Sequence, residues 1–136
     1  MPFHDRTMTR ASRLIIAILA VALAGCSSSL ADGPDVQATV SVAGAATLRD
    51  AGAFVLDVRE PDEWATGHIP GATLIPLGEL STRLGEVPAD RTIVVICRSG
   101  NRSAQGREIL KAAGYAAVTS VSGGMTDWVA TGLPVE

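Results

Sequence analysis

Cysteine is scarce in this 136-residue chain: there are two, Cys26 and Cys97, accompanied by two histidines, His4 and His68. That set cannot supply a multi-cysteine zinc site or a disulfide framework, so neither metal ligation nor cross-linking is expected to hold the fold. Lysine occurs once, at Lys111, and the formal net charge is −3, which leaves no basic footprint for nucleic acid. Long hydrophobic runs are missing as well. The uncharged apolar stretch Leu14–Ala24 would span about 16 Å as a helix, well short of the roughly 30 Å hydrocarbon core, so it is not a transmembrane helix. No internal repeat is visible, and the length suits one small domain behind an N-terminal segment.

What is present begins with that short run. Arg6, Arg10 and Arg13 precede it and Leu23-Ala24-Gly25-Cys26 closes it, the pattern of a signal peptide. The closing tetrapeptide resembles the bacterial lipobox, which implies a lipoprotein signal peptide over residues 1–25 and lipidation of Cys26. The alternative is a plain secretory signal with an incidental cysteine. Two acyl chains on Cys26 would give stable anchoring, so an extracytoplasmic, membrane-anchored bacterial protein is expected. Residues 26–39 would be the lipidated N-terminus and a small, polar, turn-rich tether. Residues 1–25 carry three arginines and one aspartate, leaving eight basic and thirteen acidic side chains, a net of −5, on the rest. With Cys26 assigned to the lipid, Cys97 is the single thiol of the processed protein, either buried and inert or reactive and functional.

Beyond residue 39 the patterns alternate. Strands are expected at 38–42, 53–58, 72–75, 92–96 and 117–121, and helices at 43–51, 60–65, 78–85, 103–113 and 125–131. The strands are continuous apolar runs rather than alternating ones. Both faces of the sheet are therefore buried, and the fold class is α/β, a small central parallel sheet with helices on each side, over residues 40–136.

Ligands of such sheets sit outside the carboxyl ends of the strands. Two strand ends are chemically loaded: Asp57-Val58-Arg59-Glu60 and the hexapeptide Cys97-Arg98-Ser99-Gly100-Asn101-Arg102 before a helical pattern from Ser103. A thiol between a buried strand and a helix N-terminus, with two arginines beside it, is placed to ionise. Arg59 and Arg102 could both face a thiolate and a divalent anion, with Asp57 orienting one guanidinium. Alternatively, Asp57 and Arg59 form an ion pair that fixes the loops.

The order of motifs is Leu56-Asp57-Val58-Arg59-Glu60-Pro61-Asp62-Glu63-Trp64, Gly67-His68-Ile69-Pro70-Gly71-Ala72, Ile96 through Ser103, Gly123-Gly124-Met125-Thr126-Asp127-Trp128 and Gly132-Leu133-Pro134-Val135. In this it resembles a single-domain rhodanese, a thiosulfate sulfurtransferase-like module, from about Val40 to Glu136. The resemblance implies attack of a Cys97 thiolate on sulfane sulfur, a Cys97 persulfide, and transfer to cyanide or a thiol, with no cofactor. It implies that the N–H groups from Arg98 to Arg102 cradle the outer sulfur and that Arg98 and Arg102 attract the anionic donor and acceptor. Ser99, Gly100 and Asn101 would shape the loop, and Ser103 would help start the helix as a cap. His68 would sit in a structural turn, Trp64 and Trp128 in packing positions, and Gly123-Gly124 in a tight turn. The implied partners are a small thiosulfate-like donor, a thiol acceptor, the membrane through the lipid, and a protein acceptor as a further option.

Two rival functions come from other classes. A cysteine phosphatase or arsenate-type reductase wants Cys, five residues and then Arg, whereas the sixth residue after Cys97 is Ser103 and Arg102 falls one position early. A non-catalytic binding module, or a persulfide carrier serving a docked partner, would keep the same fold. The intact Cys97 loop argues against an inactive module, while a carrier uses the same residues.

Overall fold

The computed structural model describes residues 36–136. The segment read as signal peptide, Cys26 and the tether up to residue 35 lie outside the described residues. The elements run β1 (Thr39–Val40), α1 (Val42–Asp50), β2 (Phe54–Asp57), α2 (Pro61–Ala65), β3 (Thr73–Leu74), α3 (Leu77–Leu80), a 3₁₀ turn (Leu84–Glu86), β4 (Ile93–Ile96), α4 (Asn101–Ala112), β5 (Val118–Val121) and α5 (Gly124–Ala130). The strands form one sheet in the order β1-β5-β4-β2-β3, and every pairing is parallel. Among the described residues no helix is long and apolar enough to cross a membrane.

The expected α/β architecture is therefore present, and the central strand shows why. Successive side chains of a strand point to opposite faces. Ile93 and Val95 pack with Leu56, Val58, Leu80 and Leu110 on one face. Val94 and Ile96 pack with Val42, Ala45, Met125 and Trp128 on the other. A strand covered on both sides has no polar face to display, hence the uninterrupted Ile93-Val94-Val95-Ile96. Cys97 continues the alternation onto the first face.

Strand order also brings the two loaded loops together. β2 and β4 are neighbours, Asp57 stands beside Ile96, and the Val58 N–H donates to the Ile96 carbonyl at 2.9 Å. The two strands are parallel neighbours, so both loops emerge side by side at the carboxyl end of the sheet.

Two helices depart from the sequence reading by more than one residue. α4 starts at Asn101 rather than Ser103, because Gly100 takes a left-handed conformation (φ 112°) and turns the chain into the helix two residues early. Arg102 thus belongs to the first helical turn, and Gly100, not Ser103, is the residue at the cap position. The helix expected over 78–85 is split into α3 and the 3₁₀ turn, which Tyr115 ties down with its hydroxyl 2.7 Å from the Leu84 carbonyl and 2.9 Å from the Val87 carbonyl.

Candidate active site

Cys97 is buried where β4 ends, and the Gly100 N–H donates to its Sγ at 3.1 Å. Burial pushes the thiol up. The N–H groups of Ser103, Gly100 and Ser99 and the Ser103 hydroxyl pull it down, and the net result is a pKa below the ordinary thiol value. Donors that converge on one point without a fixed acceptor between them suit a charged sulfur. Ser103 is fully buried in the first turn of α4, and its hydroxyl donates to the Gly100 carbonyl at 2.8 Å. It holds the loop closed rather than capping the helix.

The loop is also fixed from α5. Met125 N–H donates to the Cys97 carbonyl at 2.8 Å, and the N–H and Oγ1 of Thr126 both donate to the Arg98 carbonyl at 3.0 Å. Such close approach leaves no room for a side chain at Gly124: a Cβ there would lie 2.6 Å from the Arg98 carbonyl oxygen. The Gly123-Gly124 turn, where both residues have positive φ, is shaped by this backbone contact.

Arg102 does not point freely at the sulfur. Its Nη1 and Nη2 donate to the two Glu63 carboxylate oxygens, each at 2.7 Å, across 39 residues of sequence. The bidentate Arg102 contact, aided by the Glu60 N–H against the cost of burial, pulls the Glu63 carboxyl down to about 2. Arg102 in turn is raised, first by Glu63, against partial burial, and then by the charges of Glu63, the Cys97 thiolate and Glu60. Its charge is therefore felt at the sulfur while its donors are held by Glu63. Glu63 was not singled out from the sequence. Its place in a capping box with Glu60 at the start of α2 is readable there, but its partner on α4 is not.

Asp57 and Arg59 form a buried, tightly bonded pair. Asp57 accepts from the Arg59 backbone N–H, from Nε and from Nη2, the last at 2.7 Å. Arg59 also donates to the Glu63 and Gly67 carbonyls at 3.1 and 2.9 Å. These bonds tie the segment after β2 together and set the orientation of the guanidinium. Arg59 nonetheless lines a cavity of about 390 Å³ beside the Cys97 loop, with Arg98 in the same lining. Arg98, Ser99 and Asn101 are exposed around the loop mouth. His68 stacks on Trp64 (centroids 3.6 Å apart, 10° between planes), and its backbone exchanges two hydrogen bonds with Glu136. Trp128 is fully buried, with Nε1 donating to the Pro134 carbonyl at 2.9 Å.

Residues 41–131 match the family model described as the rhodanese-like domain. The chain belongs to the rhodanese-like family. It is 41% identical over 82 residues to a sulfurtransferase of Allochromatium vinosum, covering 60% of this chain and 77% of that one. It is 34% identical over 87 residues to the thiosulfate sulfurtransferase GlpE of Pseudomonas entomophila, covering 64% and 80%. A rhodanese-related protein of Thermoplasma volcanium superposes with a TM-score of 0.68 at 35% identity, covering 74% of this chain and 98% of that structure. Other relatives are longer, the chain spanning 40% of one and 19% of another. A rhodanese-like domain with sulfurtransferase homologues places the chemistry of this chain in sulfur transfer.

Proposed function

We propose that this protein is a sulfurtransferase that moves sulfane sulfur from thiosulfate, or a similar donor, to a thiol or cyanide through a Cys97 persulfide. The Cys97 thiolate attacks the outer sulfur of thiosulfate, a new S–S bond forms, and the old one breaks with its electron pair leaving on sulfite. The acceptor then attacks that same outer sulfur and the pair returns to Cys97 Sγ, which restores the thiolate. The observation that carries this reading is the set of N–H donors around a buried, unpaired thiol at the end of β4. Those donors stabilise negative charge on Cys97 before attack and on the persulfide after it. Arg98 and Arg102 favour approach of the dianionic donor.

The rhodanese reading competes with a persulfide carrier or a non-catalytic binding module at the membrane surface. Lipidation of Cys26, extracytoplasmic location and a protein acceptor belong to the same proposal and rest on the sequence of residues 1–39. The test is thiocyanate formation from thiosulfate and cyanide by the full chain. Cys97→Ser is expected to bring turnover to background with an unchanged thermal midpoint, and retained turnover would reject Cys97 as the nucleophile.

A further inference from the structure

The cavity beside the loop brings charged and apolar residues together among the described residues. Of the arginines there, six meet a carboxylate: Arg49, Arg59, Arg83, Arg91, Arg102 and Arg107. Arg98 is the exception among the described residues, and it is one of the residues lining this cavity. Arg59 forms part of the same lining while its side chain is only 5% exposed. A guanidinium has five N–H donors. Four of those on Arg59 are taken by Asp57, Glu63 and Gly67, and one on Nη1 is left without a partner among the described residues. The rest of the lining includes an apolar part. Val129 and Val135, exposed at 57% and 48%, are the two large hydrophobics left open to solvent among the described residues, and both border the cavity. Val135 is held there by the paired backbones of His68 and Glu136.

We propose that this cavity is the acceptor subsite, and that the acceptor is a small thiol carrying a carboxylate. The inference rests on the sulfur-transfer reading and adds the chemical class of its second substrate. Asp57 already neutralises Arg59, so the cavity offers one uncompensated charge, Arg98, and one spare buried donor, the match for a single carboxylate. The valine wall receives the carbon chain between that carboxylate and the thiol. A volume of about 390 Å³ suits a small molecule. The walls also belong to the catalytic loop, since Arg98 follows Cys97 and its carbonyl is bonded to Thr126 of the same cavity. In the transfer step the acceptor thiolate bonds to the outer sulfur, the Sγ–S bond breaks with its pair returning to Cys97, and the acceptor leaves as a persulfide.

The test uses the full chain, loaded with thiosulfate and followed by intact mass, then discharged by 3-mercaptopropionate or 2-mercaptoethanol at equal thiolate concentration. The ratio of the two discharge rates is compared between the parent, Arg98→Glu and Val135→Glu, so that intrinsic thiol reactivity cancels. Each variant is expected to lower the ratio about tenfold, Arg98→Glu by losing one charge-assisted contact and Val135→Glu by setting a like charge beside the carboxylate. An unchanged ratio in both overturns the subsite and leaves the persulfide cycle standing. Independently, butyrate titrated into Cys97→Ser is expected to shift the Met125, Val129 and Val135 methyl resonances saturably, and absence of a shift overturns the proposal. If thiosulfate loads no sulfur, the transfer reading falls, and the butyrate titration alone decides whether the cavity takes a carboxylate.

Discussion

Two loops leave neighbouring parallel strands at the carboxyl end of the sheet, and they treat charge in opposite ways. After β2, each of Asp57, Arg59, Glu60 and Glu63 is bound to another group of the protein: a buried ion pair, a capping box and a bidentate bond to Arg102. After β4, the Cys97 sulfur meets backbone N–H groups and feels the Arg102 charge without a direct ion pair, and Arg98 meets no carboxylate among the described residues. One loop spends its polar groups on holding a shape. The other leaves them available to a substrate, and it can do so because its backbone is fixed by α5 and by Ser103. Damage to the first loop should therefore appear mainly as lost stability, and damage to the second mainly as lost rate.

The largest effect is expected from Gly124→Ala, which places a Cβ against the carbonyls of Cys97 and Arg98 and displaces the loop. Misplacing a reacting group by about 1 Å costs on the order of 100-fold, so sulfur loading from thiosulfate should slow by about that factor in stopped assays. Next is Asp57→Asn, which strands a buried guanidinium. Breaking such a pair costs about 3 kcal/mol, or roughly 15 °C in thermal midpoint for a domain of this size. Calorimetry should show that fall, while alkylation of Cys97 in the cold persists.

Ser103→Ala is intermediate. It removes the hydroxyl that ties the loop and helps lower the thiol. The rate–pH profile of iodoacetamide alkylation should rise at lower pH than for an ordinary thiol in the parent, because the reactive thiolate accumulates as pH climbs through a depressed pKa. In the variant it should move back up, with stability reduced by about 1 kcal/mol.

Glu63→Gln should have the smallest effect, since a half-exposed ion pair contributes at most about 1 kcal/mol. The Glu63 carboxyl titrates near 2 when folded, against 4.5 as its ordinary value. Its contribution is thus present above about 4.5 and lost as pH falls from there through about 2. Acid unfolding curves of parent and variant should converge in that window. The variant also releases Arg102, so the apparent KM for thiosulfate should fall, whereas Arg102→Ala should raise it.

The contrast between the loops also explains what could be read from the chain alone. The parallel sheet was legible because Ile93-Val94-Val95-Ile96 carries two buried faces in four residues. Cys97 was legible because a strand, a glycine and a helix follow in order around it. The start of α4 was not, since Gly100 reaches the helix through a left-handed turn with no side-chain cap to announce it. The Glu63–Arg102 pair and the Tyr115 tether were hidden for another reason: each joins residues about 30 to 40 positions apart, and local spacing carries no trace of such a contact.

The measurement closest to the central claim is the intact mass of the full chain before thiosulfate, after it, and after a cyanide chase. Gain of one sulfur atom on the Cys97 peptide, removed by cyanide with return to the starting mass, is the predicted result. A chain that gains no sulfur, or gains it at a site other than Cys97, would contradict the account.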